Sequence, residues 1–183
     1  MVGVILLVFT LLYNHLVRMR NRVDNAWRQI DVQLQRRHDL IPVLERIVEG
    51  YAAHEKQALA RAAAARAATD RTGGPVDRAG PENGLTAAIT GLLAVAERYP
   101  GLRADREFAE LIDELSHTET AIAGSRKYYN GTVMQYNNTR QSFPGNIVAA
   151  VFRNRFAVRD YFEIEDPQDR LAPSAKMPGP GGA

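Results

Sequence analysis

The sequence predicts an all-α protein, an antiparallel four-helix bundle whose first helix is continuous with an N-terminal membrane anchor. Three observations predict this class. Apolar residues recur at helical spacing through most of the chain, no segment alternates apolar and polar residues as a strand does, and residues 2–13 (VGVILLVFTLLY) carry no charge. An apolar stripe along a helix must be buried against another element, and packed helices satisfy that need.

The first element is the predicted anchor, residues 1–17. Its uncharged run covers about 18 Å of a hydrocarbon core about 30 Å thick, so it is short for a complete span. A cleaved secretory signal is the alternative, but neither a basic n-region nor a small-residue cleavage site is present. Arg18, Arg20 and Arg22 follow the run directly. By the positive-inside rule they predict a single-pass protein with most of the chain in the cytoplasm.

The next residues predict two helices. From Leu12 the apolar residues follow a heptad, which is typical of helices in bundles and coiled coils, and this pattern predicts one rod over residues 2–37. Asp39 followed by Pro42 predicts the start of a second helix, because aspartate caps helices and proline is tolerated in a first turn. This helix is expected to run to about residue 68.

The second half of the chain predicts two more helices. Residues 69–81 (TDRTGGPVDRAGP) predict a loop, and residues 82–97 a shorter helix. Asp105 is expected to cap the longest helix, which ends near residue 141, before Pro144. The bundle is therefore assigned to residues 18–162 and a disordered tail to residues 163–183, which close in KMPGPGGA.

The length of the last helix, about 55 Å, predicts that it returns to the bilayer. The segment PGNIVAAVFRNRF would then lie near the headgroups, which suits an interfacial segment; a short helix sealing the base of the bundle is the alternative. The residues predicted to be membrane-proximal are Tyr13, Asn14, Arg18, Arg20, Arg22, Arg153 and Arg155.

Polar side chains interrupt the apolar stripe of the last helix. Two Tyr-Asn pairs stand seven residues apart, at positions 129–130 and 136–137. Buried polar groups need partners, and polar residues in a helical seam often fix register or partner choice. These residues are expected to control register within the chain or to contact a second copy or another membrane protein. The predicted seam contains Glu55, Glu119, Arg126, Asn130, Asn137 and Arg140.

Three phrases carry a family resemblance: YNHLVRMRNRVDNAWRQIDVQLQRRHDLIPVLERIVEGYAAHE, ENGLTAAITGLLAVAERYPGLRAD and TETAIAGSRKYYNGTVMQYNNTRQSFPGNIVA. Together they resemble the LemA family from residue 13 to residue 163. The resemblance implies a bacterial, single-pass membrane protein with a four-helix bundle. The family has no established enzymatic activity, so the resemblance leaves function open.

The residues that could carry chemistry are few. There is no cysteine, no glycine-rich phosphate loop and only one Glu-x-x-His, whereas a di-metal bundle needs two. His54 and Glu55 are weak metal candidates, and with Glu119 they form an alternative hypothesis of a metal-binding or proton-exchanging interior. The near-neutral net charge of +2 disfavours nucleic acid.

The sequence thus predicts a non-enzymatic scaffold or protein-interaction module at the bacterial cell membrane, without cofactor or small-molecule substrate. Its predicted partners are membrane lipid, through the anchor, and either a second copy or another membrane protein. A lipid-contacting structural rod of the envelope is a further alternative.

Overall fold

The computed structural model describes residues 1–69 and 73–163, and within these ranges the chain contains helices and no strand. The predicted all-α class is confirmed. The predicted tail, residues 163–183, lies outside the described residues apart from Glu163. The helices are α1 (Val2–Ala52), α2 (Lys56–Thr69), α3 (Pro75–Ala96), α4 (Pro100–Arg103), α5 (Arg106–Gln141) and α6 (Gly145–Val151).

Helix α1 is one uninterrupted helix of 51 residues. The predicted continuity between the N-terminal segment and the first helix of the body is confirmed, but the predicted break at Asp39 is wrong. Pro42 cannot donate a backbone hydrogen bond, which normally disfavours a helix interior. Its neighbours Ile41 and Leu44 are fully buried, so packing holds the helix together across the proline. The turn to α2 lies instead at residues 53–55.

Helix α3 begins within the predicted loop. Gly74 occupies the N-cap and Pro75 the first helical position, which proline favours because its missing N–H is not needed there. Pro81 lies inside the helix. Ion pairs to α1 hold this irregular turn, since Arg78 pairs with Asp31. The predicted start at residue 82 is therefore wrong, because the glycines and prolines that predicted a loop give no information about these contacts.

Helix α5 has the predicted start and end. The Asp105 carboxylate accepts a hydrogen bond from the Phe108 N–H at 3.0 Å, as a helix cap does. After Gln141 the chain turns sharply into α6. A side chain at Gly145 would collide with the carbonyl oxygen of Thr139, so the close approach of α6 to the end of α5 depends on glycine.

Contacts between α1 and α5 follow a regular order. The Tyr51 hydroxyl donates to Asp105 at 2.7 Å, Arg37 pairs with Glu119, and Trp27 packs against Tyr129. Late residues of α1 therefore meet early residues of α5. The end of α5 reaches Leu12 and Leu16 of α1, as its length predicts.

The buried apolar residues form two clusters along α1. The distal core, named for its distance from the N-terminal segment, joins the second half of α1 to α2, α3, α4 and the first half of α5; it includes Leu44, Val48, Leu85, Leu92, Leu102, Phe108 and Leu115. The proximal core joins the first half of α1 to the second half of α5, α6 and the residues that follow α6. It includes Leu16, Val23, Ile30, Tyr129, Val133, Tyr136, Phe156 and Phe162.

Candidate functional site

The metal hypothesis named three side chains that the structure does not bring together. Glu55 pairs with Arg98 at 2.8 Å and accepts a hydrogen bond from the Tyr99 hydroxyl at 3.4 Å. His54 is exposed. Glu119 pairs with Arg37, in the middle of α1. Within residues 1–69 and 73–163, no group of three metal-binding side chains occurs.

The asparagines of the two Tyr-Asn pairs bind the backbone of the residues after α6. The Asn137 side chain donates to the Arg159 carbonyl at 2.8 Å and accepts from the Arg159 N–H at 3.1 Å. Asn130 makes the same two bonds to Phe162, at 3.1 Å and 2.9 Å. Each amide thus contacts one residue of an unpaired backbone as a neighbouring β-strand would.

The tyrosines and Arg140 complete the set of partners. The Tyr129 hydroxyl donates to the Asp160 carbonyl at 2.8 Å, and the Tyr136 hydroxyl donates to the Ala157 carbonyl at 2.9 Å. Arg140 donates through Nε to the Phe156 carbonyl at 2.6 Å. We call these five side chains of α5 the clamp, and residues 156–162 the docked segment.

The spacing of the clamp matches an extended chain. Asn130 and Asn137 are seven residues apart, which is about 10.5 Å along a helix. Their partners, residues 162 and 159, are three apart, and three extended residues span about 10–11 Å. Seven residues of a helix and three residues of an extended segment therefore cover the same distance. This match explains why the Tyr-Asn pair repeats at seven.

The docked segment buries its own side chains with the same period of three. Phe156 and Phe162 are fully buried and Arg159 is half-buried, whereas the residues between them are exposed. Phe162 lies edge-on to Trp27 of α1 with ring centroids 5.1 Å apart. The segment thus fills the groove between α1 and α5 and closes the proximal core.

Charge and burial further define this site. Arg159 donates to Asp24 of α1 at 2.8 Å, so the segment is tied to both helices. Burial raises the pKa of Tyr129 to about 12, partly offset by the positive charge of Arg159. Burial also raises the pKa of Tyr136. Both phenols therefore stay protonated and remain donors at neutral pH.

Arg37 lies between the two cores and is 1% exposed. Its guanidinium pairs with buried Glu82 of α3 and with Glu119 of α5, and it donates to the Thr86 hydroxyl at 3.0 Å. A buried charge needs such partners. Glu119 was predicted to need a partner on another helix or on another chain, and in the structure its partner is Arg37 of α1. Arg126, the remaining member of the predicted seam, is half-buried on α5.

The residues predicted to be membrane-proximal gather around the first third of α1. The Tyr13 ring packs against Phe152 and Phe156, and the Arg155 guanidinium lies 5.9 Å from its centre. Arg20 pairs with Asp24 at 3.8 Å. The others, Asn14, Arg18, Arg22 and Arg153, are exposed.

The predicted polar seam contained Asn130, Asn137 and Arg140 of the clamp, but neither the two tyrosine hydroxyls nor the partner of the clamp was predicted. The amides were expected to face other helices or another chain. In the structure they bind the docked segment of the same chain. The docked segment itself was not predicted. Its signal in the sequence is the spacing of Phe156, Arg159 and Phe162, which are three residues apart and lie on its buried side.

A comparison with family models places the chain. The model described as the LemA family matches residues 26–176. The chain belongs to the LemA family. The match includes the clamp, the docked segment and the Arg37 network of this LemA-family chain, whereas Asp24, the partner of Arg159, lies just before it.

Two relatives of this LemA-family chain are the magnetosome proteins MamQ 1 and MamQ 2 of Paramagnetospirillum magneticum. Each is 25% identical over 195 aligned residues, which cover 91% of this chain and 71% of the relative. Neither the family description nor these names states an enzymatic activity. By length and composition, α1 is the one candidate membrane span among the described residues of the chain.

Proposed function

We propose that this protein is a non-enzymatic, membrane-anchored scaffold, an antiparallel four-helix bundle that presents binding surfaces at a fixed height above a bacterial cell membrane. The observation that carries the proposal is the continuity of α1, which is at once the candidate span and the central helix of both cores. A body that shares a helix with its anchor has no flexible joint between them, so its surfaces move together with the anchor and not independently of it.

The contacts support a bundle with alternating helix directions. Late residues of α1 meet early residues of α5, whereas Asp31 meets Arg78 and the later Arg37 meets the later Glu82. Helices α1 and α3 then run together and α5 runs against them. Helix α2 joins the end of α1 to the start of α3, which completes the alternation.

The relatives support an organising role. They are named as proteins of the magnetosome, a name that refers to a structure and not to a reaction. The partner proposed for this chain is a second copy or another membrane protein. The exposed side of α2, which carries Ala63 and Ala67, offers a site for a probe that leaves the cores intact.

In-cell photo-crosslinking tests the scaffold. A photoreactive residue at Ala63 or Ala67 of the full chain is expected to give one reproducible adduct of defined mass. Buried Ala62 is the matched control on the same helix and should give none. A protein that is monomeric in mild detergent and forms no adduct from any exposed position of α2, α3 or α5 would contradict the proposal.

The orientation proposed from the basic residues after the anchor has a separate test. The chain has no cysteine, and His54 lies exposed in the turn at residues 53–55. His54→Cys should react with a membrane-impermeant maleimide only after the cells are permeabilised. Labelling of intact spheroplasts would reverse the proposed cytoplasmic placement.

A further inference from the structure

Helix α6 has apolar side chains on its exposed side as well as on its buried side, and Asn146 is its one polar side chain. Its sequence, GNIVAAV, has no charged residue. Val148 and Ala149 are buried in the proximal core, whereas Ile147 is 51% exposed and Val151 63% exposed. Phe143, in the turn before α6, is 79% exposed. Exposed apolar side chains that lie together mark a contact surface.

The position of α6 indicates which contact this is. Phe152, which follows α6, packs against Phe9 and Tyr13 of α1 with ring centroids 6.2 Å and 4.9 Å apart. Phe9 belongs to the exposed apolar run that makes α1 a candidate span. It lies about 8 Å along the helix from Asn14, the first polar residue after the run. Interfacial helices bury their apolar side about 5–10 Å into the boundary between headgroups and acyl chains.

The charge around α6 has one sign. Residues 1–23 and 141–159 contain six arginines and no acidic residue. Asp24 pairs with Arg20 and Arg159. Arg18, Arg22, Arg153 and Arg155 are exposed at this end of the protein. Arginine binds phosphate oxygens through two parallel hydrogen bonds, so this arrangement complements anionic phospholipid headgroups.

We propose that Phe143, Ile147, Val151, Arg153 and Arg155 form a second membrane contact, a foot that inserts its apolar side chains beside the anchor and places its arginines at lipid phosphates. The foot follows the end of α5, which runs along α1 towards the bilayer surface. This inference rests on the membrane anchoring in the proposed function, and it adds a second attachment that fixes the rotation of the body about α1.

Spin labels on the full chain test the foot. Single-cysteine variants Ile147→Cys and Val151→Cys are labelled and reconstituted in nanodiscs of phosphatidylcholine and phosphatidylglycerol at 3:1. Accessibility to oxygen, which concentrates in lipid, is compared with accessibility to a water-soluble nickel chelate. Leu7→Cys in the anchor is the lipid reference, and Val32→Cys, exposed on α1 beside the proximal core, is the water reference.

Labels at positions 147 and 151 are expected to favour oxygen over nickel, as the label at position 7 does. Nickel accessibility like that at position 32 would overturn the foot while leaving the anchor intact. Shielding from both reagents would overturn it as well, because it would show a protein contact. Nickel accessibility at position 7 would overturn both the anchoring and the foot.

A charge variant tests the arginines. In anionic nanodiscs, Arg153→Gln with Arg155→Gln should lower the ratio of membrane-inserted to water-exposed foot roughly fivefold for each arginine. The ratio is measured from the oxygen and nickel accessibility of the spin label at position 151. In phosphatidylcholine alone the same variant should have little effect. Arg46→Gln with Arg103→Gln, an equal charge change at exposed distal positions, is the control. Equal effects of the two pairs, or no effect of either, would contradict phosphate binding by the foot.

Discussion

The distal and proximal cores enclose apolar residues by different means. Around the distal core, α1, α2, α3, α4 and α5 contribute mainly aliphatic side chains. Away from its ends, a helix satisfies most of its backbone groups with its own hydrogen bonds. Around the proximal core, among residues 1–69 and 73–163, α1 and α5 are joined by the start of α3, through Ala79, but by no second pair of long helices along their length. The docked segment takes that place and brings two phenylalanines. Two helices alone leave one side of a core open, and here an extended strip of chain closes it.

The difference has a chemical cost that explains the clamp. A helix supplies its own hydrogen bonds, whereas an extended segment without a neighbouring strand leaves its N–H and C=O groups unpaired. Buried unpaired groups cost about 1–3 kcal/mol each. Five side chains of α5 satisfy this need. The polar residues in the apolar stripe are thus required by the segment that they hold.

The largest effect is expected where the two cores meet. Arg37→Ala leaves Glu82 buried without its cation, and breaking a buried pair costs about 3–5 kcal/mol. Its neighbour Arg36, 58% exposed in its side chain, pairs with Glu114 and serves as the control. Arg36→Ala is expected to cost less than about 1 kcal/mol. Urea unfolding in detergent, followed by circular dichroism, measures both. Similar losses would show that Arg37 does not join the cores energetically.

A smaller and more local effect is expected in the clamp. Asn137→Ala removes two hydrogen bonds to Arg159, at an expected cost of about 1–3 kcal/mol. The adjacent Asn138 is exposed, and Asn138→Ala should change stability by less than about 0.5 kcal/mol. Hydrogen exchange of the docked segment, residues 156–162, should accelerate in the first variant and not in the second. Unchanged exchange in Asn137→Ala would mean that the amide does not hold the segment.

The smallest effect at neutral pH, and a selective one at high pH, is expected at Tyr129. Its pKa is raised to about 12 in the folded protein, against about 10 for an unperturbed tyrosine. Because the folded pKa is the higher one, the stabilisation is complete below about pH 10 and is lost as the pH rises towards 12. The docked segment should therefore detach in this window while the distal core stays folded.

Absorbance of tyrosinate at 295 nm follows this transition. Tyr129→Phe should remove a late step from the titration. Tyr128→Phe, at an exposed neighbouring position, is the matched control and should leave that step in place. Because burial also raises the pKa of Tyr136, late absorbance should fall in Tyr129→Phe without vanishing. Late absorbance equal to that of the unmodified protein would contradict the raised pKa of Tyr129.

The distal half shows how far periodicity predicts a fold. The cap at Asp105, the length of α5 and the continuity of the N-terminal apolar segment with the rest of α1 all follow from local patterns. The positions of the breaks do not. Pro42 is a strong local signal that packing of Ile41 and Leu44 overrides, and Pro81 is overridden by ion pairs between α3 and α1.

The proximal half shows where such reasoning stops. Helical projection placed Asn130 and Asn137 on the inward side, and buried polar groups were expected to have partners. The period of α5 does not indicate that the partner is an extended backbone, because nearly every residue has the same backbone N–H and C=O groups whatever its side chain. The equivalence between seven helical residues and three extended ones becomes visible only when both segments are placed together.

The uninterrupted α1 also determines how a tilt of its N-terminal segment is passed to the rest of the protein. From Asn14 to Ala52 the helix rises about 57 Å. Where α1 crosses a membrane, its tilt is the tilt of the entire body, because the two share one helix. At the average tilt of membrane helices, about 20°, the end at Ala52 is displaced sideways by roughly 20 Å. Helix α1 contains no joint that could absorb such a tilt, so any tilt of its N-terminal segment reaches the distal end in full.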